Sequence, residues 1–402
     1  MRYRLSSLLT KSKTNKPGFA LSGLILCCLL ISALCISGCG DSVSAGEGGD
    51  EDIQIKVIET PDSNDNKEDT GEDTVNTGAD DKDGTGSEDT DNDSAGGESS
   101  ANEPAQLVWA TYWDTEGLRE ALADKADTYD SIGYFAAYYN EEGRAFIPDG
   151  TVNLVNDLKT SGLFDEKKAY LTFVNDQVTT SGSKLKDSEL VYSLIGNGDL
   201  ATAHVEEIMA LAKDGGYNGV EIDYEAIKGD MTLWSAFLDF IKILNARTSQ
   251  EGLALRVLFE PGAPINSFDW PEGPEYVMMC YNLYGFGTEP GPKANPEFLN
   301  EMVDKMEPLG DNINFALANG GFDWAGDGSI SQIQNPQIDE LIEKYGLSPS
   351  RDGSSFDMVI TYTDDFGMKH TIWYADEQTI EAWKQVIIGR GHERFSLWRF
   401  PI

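Results

Sequence analysis

The stretch Asn218-Gly219-Val220-Glu221-Ile222-Asp223-Tyr224-Glu225 carries three carboxylates at two-residue spacing. Successive side chains of an extended strand point to opposite faces. Glu221, Asp223 and Glu225 therefore share one face, and Val220, Ile222 and Tyr224 share the other. Three acids stacked this closely cannot all ionise cheaply, and repulsion and burial together raise the proton affinity of at least one. A carboxylic acid that keeps its proton near neutrality suits general acid catalysis, a contribution of about 10²–10⁴ in rate. An edge strand with a solvated acidic face would carry the same acids. The opposite face is apolar, however, and Gly215-Gly216-Tyr217-Asn218-Gly219 leads into the strand as a buried connection would.

The elements that must position these acids are short β-rich runs alternating with amphipathic helical stretches. Candidate strands span 107–113, 132–138, 169–175, 219–224, 253–259, 276–281, 313–318 and 395–398. Between them lie helical stripes such as Leu233, Phe237, Phe240, Ile241 and Leu244, opened by Asp230 or Thr232 as cap, and Val205, Ile208, Met209, Leu211 and Ala212. Eight strands alternating with helices predict a (β/α)8 TIM barrel, an α/β fold. A doubly wound open sheet would show a glycine-rich loop after its first strand, and Ala110-Thr111-Tyr112-Trp113-Asp114 has none. In a barrel the apolar face meets the outer helices. The three acids then point inward and climb toward the C-terminal mouth, where barrel enzymes keep their chemistry. Residues 327–372, approximately, read as a small α+β insertion between strands seven and eight, with strand-like runs at 358–362 and 371–374 around Asp364-Asp365-Phe366-Gly367.

The chain has 402 residues and a formal net charge of −39, which disfavours nucleic acid and anionic surfaces as partners. Its first forty residues are basic, with Arg2, Arg4, Lys11, Lys13 and Lys16 ahead of an apolar run from about Phe19 to Ile36. This is the pattern of a secretory signal. It closes on Leu34-Cys35-Ile36-Ser37-Gly38-Cys39, which resembles the lipobox of bacterial lipoproteins. That resemblance implies a signal peptide over 1–38, lipidation of Cys39 and a chain anchored to the outside of the cell membrane. Residues 39–104 are rich in acids, Ser, Gly, Thr and Asn, and are expected to form a disordered tether extended by its own charge. The folded domain begins at about residue 105. Cys280 is its one cysteine, so no disulfide lies within it, and His204, His370 and His392 are too dispersed for a zinc site. No cofactor is expected.

The acidic strand resembles strand four of glycoside hydrolase family 18, the chitinases and their relatives, whose pattern is Asp-Gly-x-Asp-x-Asp-x-Glu. Asp223 and Glu225 match it, while Asn218 and Glu221 replace the first two aspartates. Met279-Cys280-Tyr281-Asn282 resembles the family's Met-x-Tyr-Asp with Asn for Asp, and Ser396-Leu397-Trp398 its terminal tryptophan. Asn319-Gly320-Gly321-Phe322-Asp323-Trp324 resembles the glycine-aromatic stretch after strand seven. In strand three, Thr172-Phe173-Val174-Asn175-Asp176 replaces the usual Ser-x-Gly-Gly and is closer to the branch of spore-cortex-lytic and germination proteins. The resemblance covers about residues 105–402.

What the resemblance implies is a retaining glycosidase that uses substrate assistance. Glu225 would protonate the glycosidic oxygen and then activate water. Asp223 would orient the substrate's 2-acetamido group, Tyr281 would donate to the acetamido carbonyl, and Trp398 would lie beneath the reacting sugar. Glu221 would sit deeper and tune Asp223. With Asn282, Asn175 and Tyr138, Glu221 and Trp398 complete the expected substrate-binding set. Trp109, Trp113, Tyr139, Tyr284, Phe286 and Trp324 lie near strand ends, where cleft and core aromatics look alike in sequence. The expected substrates are glycans with β-linked N-acetylglucosamine, of chitin, peptidoglycan or N-glycan-core type, and the expected state is a monomer. The alternative is a barrel that binds carbohydrate and cuts it weakly or not at all.

Overall fold

The computed structural model describes residues 106–400, except 116–117, 163–166 and 228. The signal segment, Cys39 and the tether lie outside the described residues. Eight parallel strands form the barrel: β1 (Gln106–Thr111), β2 (Ser131–Tyr139), β3 (Lys168–Thr179), β4 (Gly219–Asp223), β5 (Ala254–Phe259), β6 (Glu275–Met279), β7 (Ile313–Ala318) and β8 (Phe395–Trp398). They pair in chain order from β1 to β8, and β8 pairs back onto β1 to close the ring. The expected (β/α)8 barrel is therefore the fold.

Strand parity sorts the side chains. Val220 and Ile222 of β4 pack outward with Val257 of β5, Met278 of β6 and Phe315 of β7 into the main core beneath the helices. Leu107, Trp109, Tyr170, Leu258, Val277, Met279 and Ala316 point the other way and fill the barrel interior. The helices close the outer layer with the stripes read from sequence. Helix Met231–Glu251 buries Leu233, Phe237, Phe240, Ile241 and Leu244, and its cap is Asp230, whose side chain accepts from Thr232 N and Leu233 N. Helix Gly198–Asp214 opens on Asn197 in the same way. These caps satisfy amides that a first helical turn leaves without partners.

The insertion is wider than expected. Its antiparallel sheet runs from Gly320 to Ala375, because strand Gly320–Ala325 pairs with strand Lys369–Ala375 rather than with the barrel. Gly320 makes the exit from β7 with a left-handed backbone (φ 60°). At Gly321 a β-carbon would stand 1.8 Å from Trp373 O, so only glycine fits. A small core of Ile333, Ile338, Ile360, Ile372 and Tyr374 holds this sheet to helix Asn335–Tyr345.

Below the C-terminal mouth the barrel interior holds a buried ionic network. Glu221 accepts from Trp109 Nε1 (3.0 Å), Thr172 Oγ1 (2.9 Å) and Arg256 Nε (3.0 Å). Arg256 also pairs with Glu275 and donates to Ser396 Oγ (2.7 Å). Arg394 donates to the other Glu275 oxygen at 3.0 Å. Two acids and two arginines thus face one another, and burial still raises Glu221 against the opposing pull of Arg256, Thr172 and Trp109. Burial pushes Glu275 up, but Arg256 and Arg394 outweigh it and hold the carboxyl below its usual range. Removing one partner of such a pair strands the other charge, at a cost of about 3–5 kcal/mol. Glu221→Leu is expected to lower unfolding free energy in urea by about that amount. By contrast, Asp157→Ala, which breaks the exposed Arg119–Asp157 pair, is expected to change it by less than about 1 kcal/mol.

Candidate active site

Asp223 ends β4, and Glu225 lies two residues further on, at the C-terminal mouth. The strand alternation continues past the strand itself. Tyr224 packs outward, parallel to Phe240 with ring centroids 6.1 Å apart, and bonds His204 Nε2 at 2.7 Å. Asp223 and Glu225 therefore both turn inward.

Asn175 holds the acid's backbone in place. Its Oδ1 accepts from Glu225 N and its Nδ2 donates to Glu225 O, both at 2.9 Å. Glu260, directly after β5, accepts from Ala226 N at 2.7 Å, and Ala226 takes a left-handed backbone (φ 59°). Lys186 Nζ forms an ion pair with Glu225 Oε2. Glu225 thus sits between an amide clamp, a second carboxyl and an ammonium.

The electrostatics follow from burial and crowding. Burial first, then Glu225, push the Asp223 carboxyl well above the ordinary carboxylate range, with Lys186 opposing them. Burial and Glu225 raise Glu260 in the same way. Asp176 is pushed up to about 6, chiefly by burial. Asp223 Oδ1 is buried without a hydrogen-bond partner among the described residues. The Tyr281 hydroxyl is raised well above its usual value by burial, then by the charges of Asp223 and Glu225. Trp398 packs edge-on to Phe135 (centroids 4.7 Å apart) and joins Tyr281 on the barrel's inner lining.

Glu225, Asp223 and Tyr281 thus share one electrostatic neighbourhood, and Trp398 shares the inner lining with Tyr281. Asn282 follows Tyr281 with its side chain exposed and a left-handed backbone (φ 61°) that asparagine tolerates. Three residues expected to touch substrate lie elsewhere. Glu221 is fully buried and spent on Trp109, Thr172 and Arg256. Its extra methylene carries it to Arg256 on β5 rather than into Asp223. Asn175, 1% exposed, has both amide atoms on the Glu225 backbone. Tyr138, 2% exposed, packs with Ala136, Val174 and Phe146 in a separate cluster. Of the other aromatics, Trp109 is a donor to Glu221, and Tyr139 faces the helices through His204 and Tyr224. Phe286 meets Phe322 edge-on and Trp324 Nε1 bonds Thr288 O, joining the loop after β6 to the insertion.

Two residues of the site, Glu260 and Lys186, are not among those expected from the sequence. Glu260 had a signal, an acid at the C-terminal end of a barrel strand before Pro261-Gly262. Lys186 had none, since nothing local distinguishes it from other surface lysines.

No family model matches the chain. It is 23% identical over 306 residues to the uncharacterized glycosylase YvbX of Bacillus subtilis (strain 168), over 68% of this chain and 86% of that protein. Its barrel is that of chitinases and spore cortex-lytic enzymes. A chitinase from Chromobacterium violaceum superposes with a TM-score of 0.62 at 18% identity, covering 74% of this chain and 95% of that one. The spore cortex-lytic enzyme SleL of Bacillus cereus gives 0.60 at 17%, over 74% and 71%. A class V chitinase from Nicotiana tobaccum, solved as a mutant in complex with NAG4, gives 0.58 at 13%, over 74% and 94%. At these identities the shared property is the fold.

The Asn175 clamp makes a direct prediction. In Asn175→Ala the Glu225 amide loses its acceptor, and its hydrogen exchange is expected to accelerate at least about tenfold, for a stability loss of about 1–3 kcal/mol. Exchange followed by NMR, with urea unfolding beside it, checks both.

Proposed function

We propose that this chain is a retaining glycosidase that hydrolyses glycans containing β-linked N-acetylglucosamine, with the nucleophile supplied by the substrate. The observation that carries the reading is the pairing of Glu225 with a buried, unpartnered Asp223 oxygen at the barrel mouth. The relatives' names point the same way: a glycosylase in sequence, chitinases and a cortex-lytic enzyme in structure. A tobacco chitinase with this barrel is solved with NAG4.

The chemistry runs as follows. Glu225 gives its proton to the glycosidic oxygen as the bond to the anomeric carbon breaks. The acetamido carbonyl oxygen attacks that carbon from the opposite face and forms an oxazoline-type ring. Asp223 accepts from the acetamido N–H, orients it, and stabilises the positive charge that develops there. Tyr281 donates to the same acetamido group, and Trp398 offers its face to the sugar's C–H groups. Water, deprotonated by Glu225, then opens the ring, so the configuration is retained. This route departs from the common two-carboxylate scheme by moving the nucleophile off the protein. The acidic charge of the chain accords with neutral sugars as substrate.

A carbohydrate-binding barrel without catalysis is the second reading, favoured by the ammonium of Lys186 seated on the acid. One assay separates them. The full chain is offered a labelled chitooligosaccharide, an N-glycan and muropeptide glycans. Cleavage with retention of configuration is expected, with a loss of at least about 10²–10⁴-fold in kcat in Glu225→Gln. A thiazoline analogue of the cyclic intermediate is expected to inhibit. Binding of these glycans with no cleavage selects the second reading, and cleavage that survives Glu225→Gln removes Glu225 from the role.

On the same reading the enzyme works outside the cytoplasm as a monomer, anchored by lipid on Cys39 and held off the membrane by residues 41–104. The support is the Leu34–Cys39 pattern and the acidic run of 21 Asp and Glu against three Lys that follows it. Cys39→Ser, expressed in a bacterium fed a labelled fatty acid, is expected to lose the label and the membrane association. A substituted protein that still carries lipid rules the anchor out.

A further inference from the structure

Lys186 sits on the segment that leaves the hairpin formed by β3 and strand Gly182–Lys184. Its backbone is left-handed (φ 52°), a conformation kept by a side chain with a β-carbon only where the surroundings over-determine it. Two hydrogen bonds do so. Lys186 N donates to Asp176 Oδ1 at 2.8 Å, and Asp187 N donates to Asn175 O at 2.9 Å. Asn175 is the residue whose amide grips the Glu225 backbone. One short stretch of β3 thus fixes both the acid's main chain and the lysine above it.

The ammonium faces Asp223 at the end of β4, Glu225 two residues beyond it, Glu260 directly after β5, and Asp176 on β3. The Lys186 side chain is 46% exposed and that of Glu225 is 20% exposed. The lysine can therefore swing into water while the carboxyl stays. An ammonium has donors only, so it suits a charged carboxylate and not a carboxyl that is about to donate a proton. General acid catalysis also needs the leaving oxygen within hydrogen-bond reach of that same carboxyl.

We propose that Lys186 is a displaceable clamp on Glu225, which holds the carboxyl in the empty site and gives up its place to the glycosidic oxygen when a glycan enters. It is a positioning residue, acting on the reaction through Glu225. The glycosidase reading is needed for what displaces the clamp, and the ion pair itself stands apart from it.

The clamp is tested first without substrate. The full chain is labelled with [13Cε]lysine and titrated by NMR, and the Lys186 signal is the one missing from Lys186→Arg. It is expected to keep its proton at about pH 11, where exposed lysines lose theirs. In Glu225→Gln it is expected to titrate lower, by about one pH unit or more. Kinetics then test displacement. The alkaline limb of kcat/KM reports the free enzyme and that of kcat the complex. In the wild type the first is expected at lower pH than the second. Lys186→Met is expected to raise the kcat/KM limb by about one unit and leave the kcat limb in place, while Lys186→Arg leaves both. A Lys186 signal that titrates with the exposed lysines and ignores Glu225→Gln overturns the clamp. So does a Lys186→Met enzyme whose kcat/KM limb does not move. A wild-type chain that cuts no glycan overturns the glycosidase reading instead, and the titration still decides whether Glu225 is clamped.

Discussion

Arg256 crosses the interior of the barrel and is almost wholly buried there, with Glu221 on one side and Glu275 on the other. A guanidinium in that position is tolerable only if its charge and its N–H groups are met. Glu221, Glu275 and Ser396 meet them from β4, β6 and β8 while Arg256 stands on β5, so the network ties four strands through the centre. Its hold on Glu221 sets the facing of β4. Because side chains alternate, Asp223 must then stand one layer above on the same face, and Glu225 one layer above that. The acid's position at the mouth is thus a consequence of charge pairing below it.

Above that network the polar groups change character. Below, acids and arginines face one another and every Glu221 oxygen is used. Above, Asp176, Asp223, Glu225 and Glu260 crowd around Lys186, and one Asp223 oxygen has no partner among the described residues. Satisfied buried networks specify structure, whereas carboxyls crowded around one ammonium, with an oxygen left over, are where protons can be moved. Asn175 joins the two regimes. It is a buried amide that spends both its atoms on the Glu225 backbone, which leaves the carboxyl free to respond to what enters the cleft.

The barrel was legible because each strand carries its own apolar alternation. Strands predicted at 313–318 and 395–398 coincide with β7 and β8, and the others differ at their ends by a few residues. The largest shift is in β3, which runs on to Thr179 because it folds back into a hairpin with Gly182–Lys184. The insertion's edges were misplaced for a related reason. The segment 319–324 reads as a glycine-aromatic stretch after strand seven, and only the pairing of Gly320–Ala325 with Lys369–Ala375, far along the chain, assigns it to the second sheet. The site was legible in part. Glu225 and Asp223 follow from local spacing, and Tyr281 and Trp398 from a resemblance. Glu221, Asn175 and Tyr138 were placed on the substrate's side because a polar or aromatic residue near a strand end looks the same whether it faces a cleft or braces one.

What the sequence determined by itself is periodic or local: eight alternating strands, the helix stripes and caps, and three acids on one face. Such features depend on neighbours within a few residues, and a linear string records those. The tertiary structure alone decided which of the three acids is spent on an arginine, which is clamped by an asparagine fifty residues away, and which lysine sits on it. Those choices rest on contacts between strands, and the energy of a buried charge depends on every group around it rather than on the residues beside it in the chain.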